Sequence, residues 1–429
     1  MKFTAVGDIL CQRRMAEGYD GFAEVKEFIE RGDARFFNLE TTVHREGECY
    51  GNQFSGGTYI RCAPEVLDDM MRFGFNMTTA NNNHIMDFAH EGLLKTLSHL
   101  DRVGIVHAGV GRNLHEATAP AYLETKNGRV ALIAVNTSFN PAIMAGEQSR
   151  RLPGRPGGFG INVTRRIVLP REDFEHIKRI GDATGINESK MVTRREGYYP
   201  FLPDGMAELG DLQFILGDSH GVAYEARESD VELARRAIRE ARMKADYVIV
   251  SVHSHQLLGA DKSAVPEFLA ELCRGFIDTG ADAVIGHGPH LLRPIEIYRD
   301  KPIFYSLGDF LIELYDVAVA PEDFYKSYGM NSDSTVIELL EKRSAGFTRG
   351  LMEDDRMLEA VIPYWETDEN RRLTKLSLMP IKASRGEGKM LEGLPRPAKN
   401  TDFMESLARL SAPYGTKISF EGGEWVCKW

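Results

Sequence analysis

The chain has no excess of positive charge. Its 429 residues carry 52 Lys plus Arg against 63 Asp plus Glu, a formal net charge of −11. Nucleic-acid backbones and anionic membrane surfaces are held by clustered Lys and Arg, so this balance argues against both as partners. Cysteine is scarce too. Cys11, Cys49, Cys62, Cys273 and Cys427 are scattered, odd in number and form no CxxC pair. That argues against a disulfide framework and a thiolate zinc site. No apolar run approaches the roughly 18 residues of a membrane span. Met1–Asp8 runs straight into a strand-like segment, without the charged and apolar stretches of a secretory leader. The expectation is a soluble, cytoplasmic protein with no membrane anchor.

The composition is that of a globular protein, with 43% hydrophobic and 27% charged residues. Residues 1–136 alternate short apolar runs with amphipathic stretches: strands at 2–6, 35–39 and 76–80, and helices at 21–30, 64–72 and 91–103. Leu93, Leu97 and Leu100 share one helical face. Lys126-Asn127-Gly128 reads as a hairpin turn. Residues 140–170 are rich in Arg, Pro and Gly and read as a long loop, followed by a helix at 171–184. The αβ rhythm returns at 230, where Tyr247–Val252 is a continuous apolar run suited to a sheet buried on both faces. Residues 310–350 read as irregular. The C-terminal part reads as two hairpins around a helix at 402–410.

Polar residues with metal-ligand chemistry fall where the strands end. Gly7-Asp8 follows the first strand and Glu40 the second. Asn81-Asn82-Asn83-His84 follows the third, His253-Ser254-His255 follows Tyr247–Val252, and His287 and His290 follow Ala283–Ile285. Open α/β sheets bind ligands beyond the carboxyl ends of their strands. Oxygen and imidazole donors without thiolates suit Mn, Fe or Zn. Taken singly, each has an ordinary explanation: Gly-Asp as a turn, Asn-rich loop chemistry, a structural histidine. Their joint placement at one rim points to a divalent-metal site.

Phe3–Asp8, Asn38-Leu39-Glu40, Ala80–His84 with Asp87, the His253 segment, Gly280–His290 and Tyr305–Phe310 together resemble the capsule-synthesis CapA (poly-γ-glutamate synthesis) family, related to the calcineurin-like metallophosphoesterases. The resemblance covers about 1–136 and 230–311, with a short stretch at 411–416. It implies a four-layer α/β/β/α sandwich carrying a two-metal centre. It matches Asp8, Glu40, Asn83, His253, His287 and His290 to metal ligands and His84 to the catalytic histidine. The implied core is 1–139 with 230–311, the implied insertion covering the site is 140–229, and 312–429 becomes an extension packed on the core.

This sequence departs from the pattern in three places. Asp8-Ile9-Leu10 lacks the usual first-motif histidine. His253-Ser254-His255 adds an imidazole. Asp309 stands where an asparagine is usual. Arg61, Asn82, His255 and Asp309 are further candidates for contacting substrate, and Asp218-Ser219-His220-Gly221 is a candidate for covering the site. The implied function is metal-dependent hydrolysis by an activated water on a small anionic phosphoester. Hydrolysis of a peptide-like γ-glutamyl amide is the alternative, and a non-catalytic role in polymer synthesis is the third reading.

Overall fold

The computed structural model describes residues 1–350, 353–388 and 390–429. Two sheets face each other. The first has ten strands, in the order Lys417–Glu421, Glu424–Lys428, Leu373–Ala383, Glu359–Thr367, Lys2–Leu10, Ala34–Leu39, Met77–Thr79 and Val106–Ala108. Asp309–Ile312 and Pro395–Pro397 join it from the side, on Lys2–Leu10 and Leu373–Ala383. The second has six strands, in the order Ile295–Tyr298, Lys301–Phe304, Ala283–His287, Tyr247–His253, Gly128–Asn136 and Ala121–Thr125.

The two-residue side-chain period of a strand explains the layering. In Ala34–Leu39, Ala34 and Phe36 point one way and Phe37 and Leu39 the other. In Tyr247–His253, Tyr247 and Ile249 oppose Val248, Val250 and Val252. Phe3, Ala34, Phe36, Val130, Leu132, Tyr247, Ile249, Ala283 and Ile285 form one shared core between the sheets. Phe37 and Leu39 pack outward on the helices Phe22–Ile29, Glu65–Met71 and Ala89–Val103 through Val25, Leu67 and Leu97. Val248 and Val250 pack outward on Glu228–Lys244 and Glu267–Thr279 through Ile238 and Leu272. The result is the expected α/β/β/α sandwich. No helix of the described residues is long and apolar enough to cross a membrane.

Two stretches differ from the sequence reading. Residues 140–170 are not one loop: Gly157–Gly158 pairs with Val110–Gly111, and Val163–Leu169 is a strand. That strand belongs to a separate sheet ordered Met206–Leu209, Leu212–Leu216, Val163–Leu169, Gly221–Ala226. Phe174 of helix Arg171–Thr184 packs there on Ala207 and Phe214. Every residue of Val163–Leu169 is half-buried or exposed, so apolar and polar positions do not alternate cleanly. Residues 310–350 are also not irregular. They hold the strand Asp309–Ile312 and the helices Glu322–Ser327 and Val336–Arg343. The second helix starts on a capping box, Thr335 with Glu338, a signal present in the sequence.

Candidate metal centre

Parallel pairing brings the strand ends together. Asp8 pairs in register with Asn38 on one side and with Asp309 on the other. His253 pairs with Asn136 and with His287. The register of Lys2–Leu10 slips around Asp8 on both sides. Gly7 makes that slip sterically feasible, because a Cβ there would lie 1.8 Å from the Gly308 carbonyl oxygen. The Asp8 carboxylate is then fixed by N–H donors from the Asn38 side chain at 2.6 Å and the Gly288 backbone at 2.9 Å.

Glu40 lies at the centre of this arrangement. It is fully buried, and among the described residues neither carboxylate oxygen meets a hydrogen-bond donor. Its Oε1 lies 3.7 Å from His253 Nε2, 3.9 Å from His290 Nε2 and 4.0 Å from His255 Nε2. Asp8 lies 3.6 Å from His287 Nδ1 and 3.8 Å from His290 Nδ1. Donors bound to one cation at about 2.1 Å sit roughly 3–4 Å apart, so these separations fit a shared ion better than direct hydrogen bonds. Among the described residues, three groups bring donor atoms within 4.8 Å of one another: Asp8 with His253 and His287, Glu40 with His253 and His255, and Asp8 with His290 and Asp309. Asn83 Oδ1 joins them, 2.8 Å from His253 Nε2 and 3.3 Å from His255 Nε2.

Burial sets the electrostatics. It pushes the Glu40 carboxyl well above its usual range, and the neighbouring Asp8 and Asp309 push the same way. It raises Asp8 to about 6, against the opposing pull of His290. Burial also holds His253 far below its ordinary value and brings His287 down to about 3. The two imidazoles are therefore neutral, with lone pairs available to a metal. His290 is the exception, because Asp309 and Asp8 outweigh the burial that would lower it. Buried carboxylates crowded together beside neutral imidazoles carry an excess of negative charge that a divalent cation would balance.

His84 stands beside these donors with its Nδ1 2.7 Å from Asp87 Oδ2. Asp87 is fixed in turn by the backbone N–H groups of Gly56, at 2.8 Å, and Ile60, at 3.0 Å. This pairing assigns the proton to His84 Nδ1 and turns Nε2 away from Asp87.

The structure brings together Asp8, Glu40, Asn83, His84, His253, His255, His287, His290 and Asp309. It turns the side chains of three other candidates to different partners. Asn82 is buried and turned to the Asn38 side chain and the Leu39 carbonyl, so it braces the turn. Arg61 donates to the His44 carbonyl and to Glu46, beside a 150 Å³ cavity shared with Pro321. His220, in the 218–221 turn, pairs with Asp173 within the small sheet region. Sequence reasoning gave no role to Asn38, to Ser251, whose Oγ lies 2.5 Å from His287 Nε2, or to Asp87. The signals were present: Asn38 and Asp87 sit inside the quoted motifs, and Ser251 is a lone polar residue in an apolar strand.

Comparison with known proteins gives the family of the chain. The family described as bacterial capsule synthesis protein PGA_cap matches residues 2–313. The protein y4sH of Sinorhizobium fredii is 34% identical over 434 residues, covering 97% of this chain and 91% of that one. The capsule biosynthesis protein CapA of Bacillus anthracis is 22% identical, over 73% of this chain and 60% of its own. A probable polyglutamine synthesis accessory protein of Mycobacterium tuberculosis is 26% identical, over 68% of this chain and 58% of its own. The strand-end donors all lie inside the matched region, and the chain belongs to the bacterial capsule synthesis protein family PGA_cap.

Proposed function

We propose that this protein is a metal-dependent hydrolase that uses a dinuclear centre to cleave a phosphoester. The observation that carries this reading is Glu40, a buried carboxylate that meets no hydrogen-bond donor among the described residues and has three imidazole nitrogens 3.7–4.0 Å away. Asp8, Glu40, Asn83, His253, His255, His287 and His290 would hold the ions, with Asp309 against His290. Two such cations would polarise a phosphoryl oxygen and activate water for attack.

The remaining work falls to this chain's own groups. Asp87 accepts from His84 Nδ1–H and so turns Nε2 to the site, where the doubly protonated ring would give its Nε2 proton to the departing oxygen. Asn38 and Gly288 keep Asp8 aimed while charge at the site changes. The burial of Asp8, Glu40, His253 and His287 keeps water from screening these charges.

The names of two relatives favour a second reading. They refer to capsule biosynthesis and to polyglutamine synthesis, which makes a peptide-like γ-glutamyl amide the alternative substrate class. The test is a panel of phosphomonoesters, phosphodiesters and γ-glutamyl amides, assayed with Mn2+, Fe2+ or Zn2+. Phosphoester turnover that falls about 10²–10⁴-fold in His84→Ala, with metal content retained, supports the proposal. Turnover of amides alone selects the second reading. No turnover of either class points to a binding role in polymer synthesis.

A further inference from the structure

The site is braced by a loop whose sequence carries no chemical motif. Gly56 contacts it twice through its peptide groups. Its carbonyl accepts the Asn83 side-chain N–H at 2.9 Å, which turns Asn83 Oδ1 toward His253 and His255. Its own N–H donates to Asp87 Oδ1 at 2.8 Å, leaving Oδ2 for His84. The contact is flush: a Cβ on Gly56 would lie 2.7 Å from Asn83 Nδ2 and 2.7 Å from two ring carbons of His84.

The loop is itself held from far along the chain. Arg343 donates to Thr58 Oγ1 at 2.5 Å, and the Tyr59 ring lies 5.5 Å from Phe324 in an edge-on arrangement. The Arg343 guanidinium lies 5.6 Å from the centre of the Phe324 ring. Phe324 and Arg343 belong to the two helices in 317–347, outside the family match at residues 2–313.

We infer that Gly56 is a positioning residue for the site, and that the 317–347 segment acts on Asn83 and His84 by holding the 52–60 loop in place. This rests on the metal reading above. The Asn83 carboxamide has two ways to turn, and the Gly56 carbonyl selects the one that aims oxygen at the imidazoles. No residue with a side chain fits at position 56 without displacing Asn83 or His84.

The test is a Co2+ titration of the full chain followed by visible absorption, whose d–d bands report the ligand set. It compares wild type with Gly56→Ala, Asn83→Ala and the double variant, with Ser55→Ala as the control. Gly56→Ala is expected to bind Co2+ about tenfold more weakly, with an altered band. The double variant should bind no more weakly than Asn83→Ala alone, because both substitutions disturb one interaction. Wild-type affinity and band shape in Gly56→Ala, or losses that simply add, overturn the inference. Arg343→Met carries the same test if Gly56→Ala does not fold, since it frees the loop without adding an atom beside His84. A band shift with about threefold weaker binding supports the role of the 317–347 segment, and an unchanged titration overturns it. A wild-type chain that takes up no Co2+ overturns the metal reading first, and this inference with it.

Discussion

Asp309 Oδ1 and His290 Nδ1 are hydrogen-bonded at 2.9 Å in a fully buried setting. Asp309 is also the register partner of Asp8 on the neighbouring parallel strand. It accepts a hydrogen bond from His290 Nδ1–H, which turns Nε2 toward Glu40. The chain has no histidine at the Ile9-Leu10 position, and Asp309 brings a third carboxylate to that side of the site.

Removing that charge while keeping the shape should weaken the metal site. Asp309→Asn retains an acceptor for His290, so the fold should persist. Mn2+ affinity, measured by titration calorimetry, should fall about tenfold. Unchanged affinity would show that Asp309 is only a packing partner.

Gly7→Ala should be among the most damaging single substitutions outside the donor set. Its Cβ would lie 1.8 Å from a backbone oxygen of Gly308, which no side-chain rearrangement relieves. A loss of roughly 3 kcal/mol or more is expected, read by denaturant unfolding, together with displacement of Asp8. A variant with wild-type stability would mean that the Asp8 strand end is far more pliable than the pairing implies.

Glu313 gives a pH dependence separate from the metal donors. It accepts the backbone N–H groups of Gln12 at 2.7 Å and Arg13 at 3.2 Å, and burial raises its carboxyl to about 7 despite Arg13. The folded-state value lies above that of the unfolded chain, so the folded state binds this proton more tightly. The stability this group contributes is therefore greatest at low pH and falls as pH rises from about 4.5 to 7, by ~3 kcal/mol at most. Glu313→Gln keeps the acceptor and removes the ionisation. The melting temperature of the variant minus that of wild type should increase between pH 5 and pH 8. A difference that stays constant would contradict this.

Much of the site is legible in the sequence for a simple reason. Strands buried on both faces are apolar throughout, so Asp8, Glu40, His253 and His287 stand out where those runs stop. Their convergence follows from parallel pairing, which places all the carboxyl ends at one rim. Other features rest on contacts between residues far apart in sequence. Asp309–Ile312 is a strand only because it pairs with Lys2–Leu10, about 300 residues away, and four residues alone carry no periodic signal. The hold of Gly56 on Asn83 and Asp87 comes from backbone groups that every residue has. Asn82 looked like a site residue by its neighbours, but its side chain satisfies the Leu39 carbonyl instead.

The most direct test of the metal centre is the metal content of protein purified without chelator, beside Glu40→Gln and His253→Ala. Wild type should carry about one to two equivalents of Mn, Fe or Zn, and each variant should lose most of it while keeping its fold. Variants that retain the wild-type complement, or a wild type free of metal at saturating concentrations of all three ions, would contradict the account.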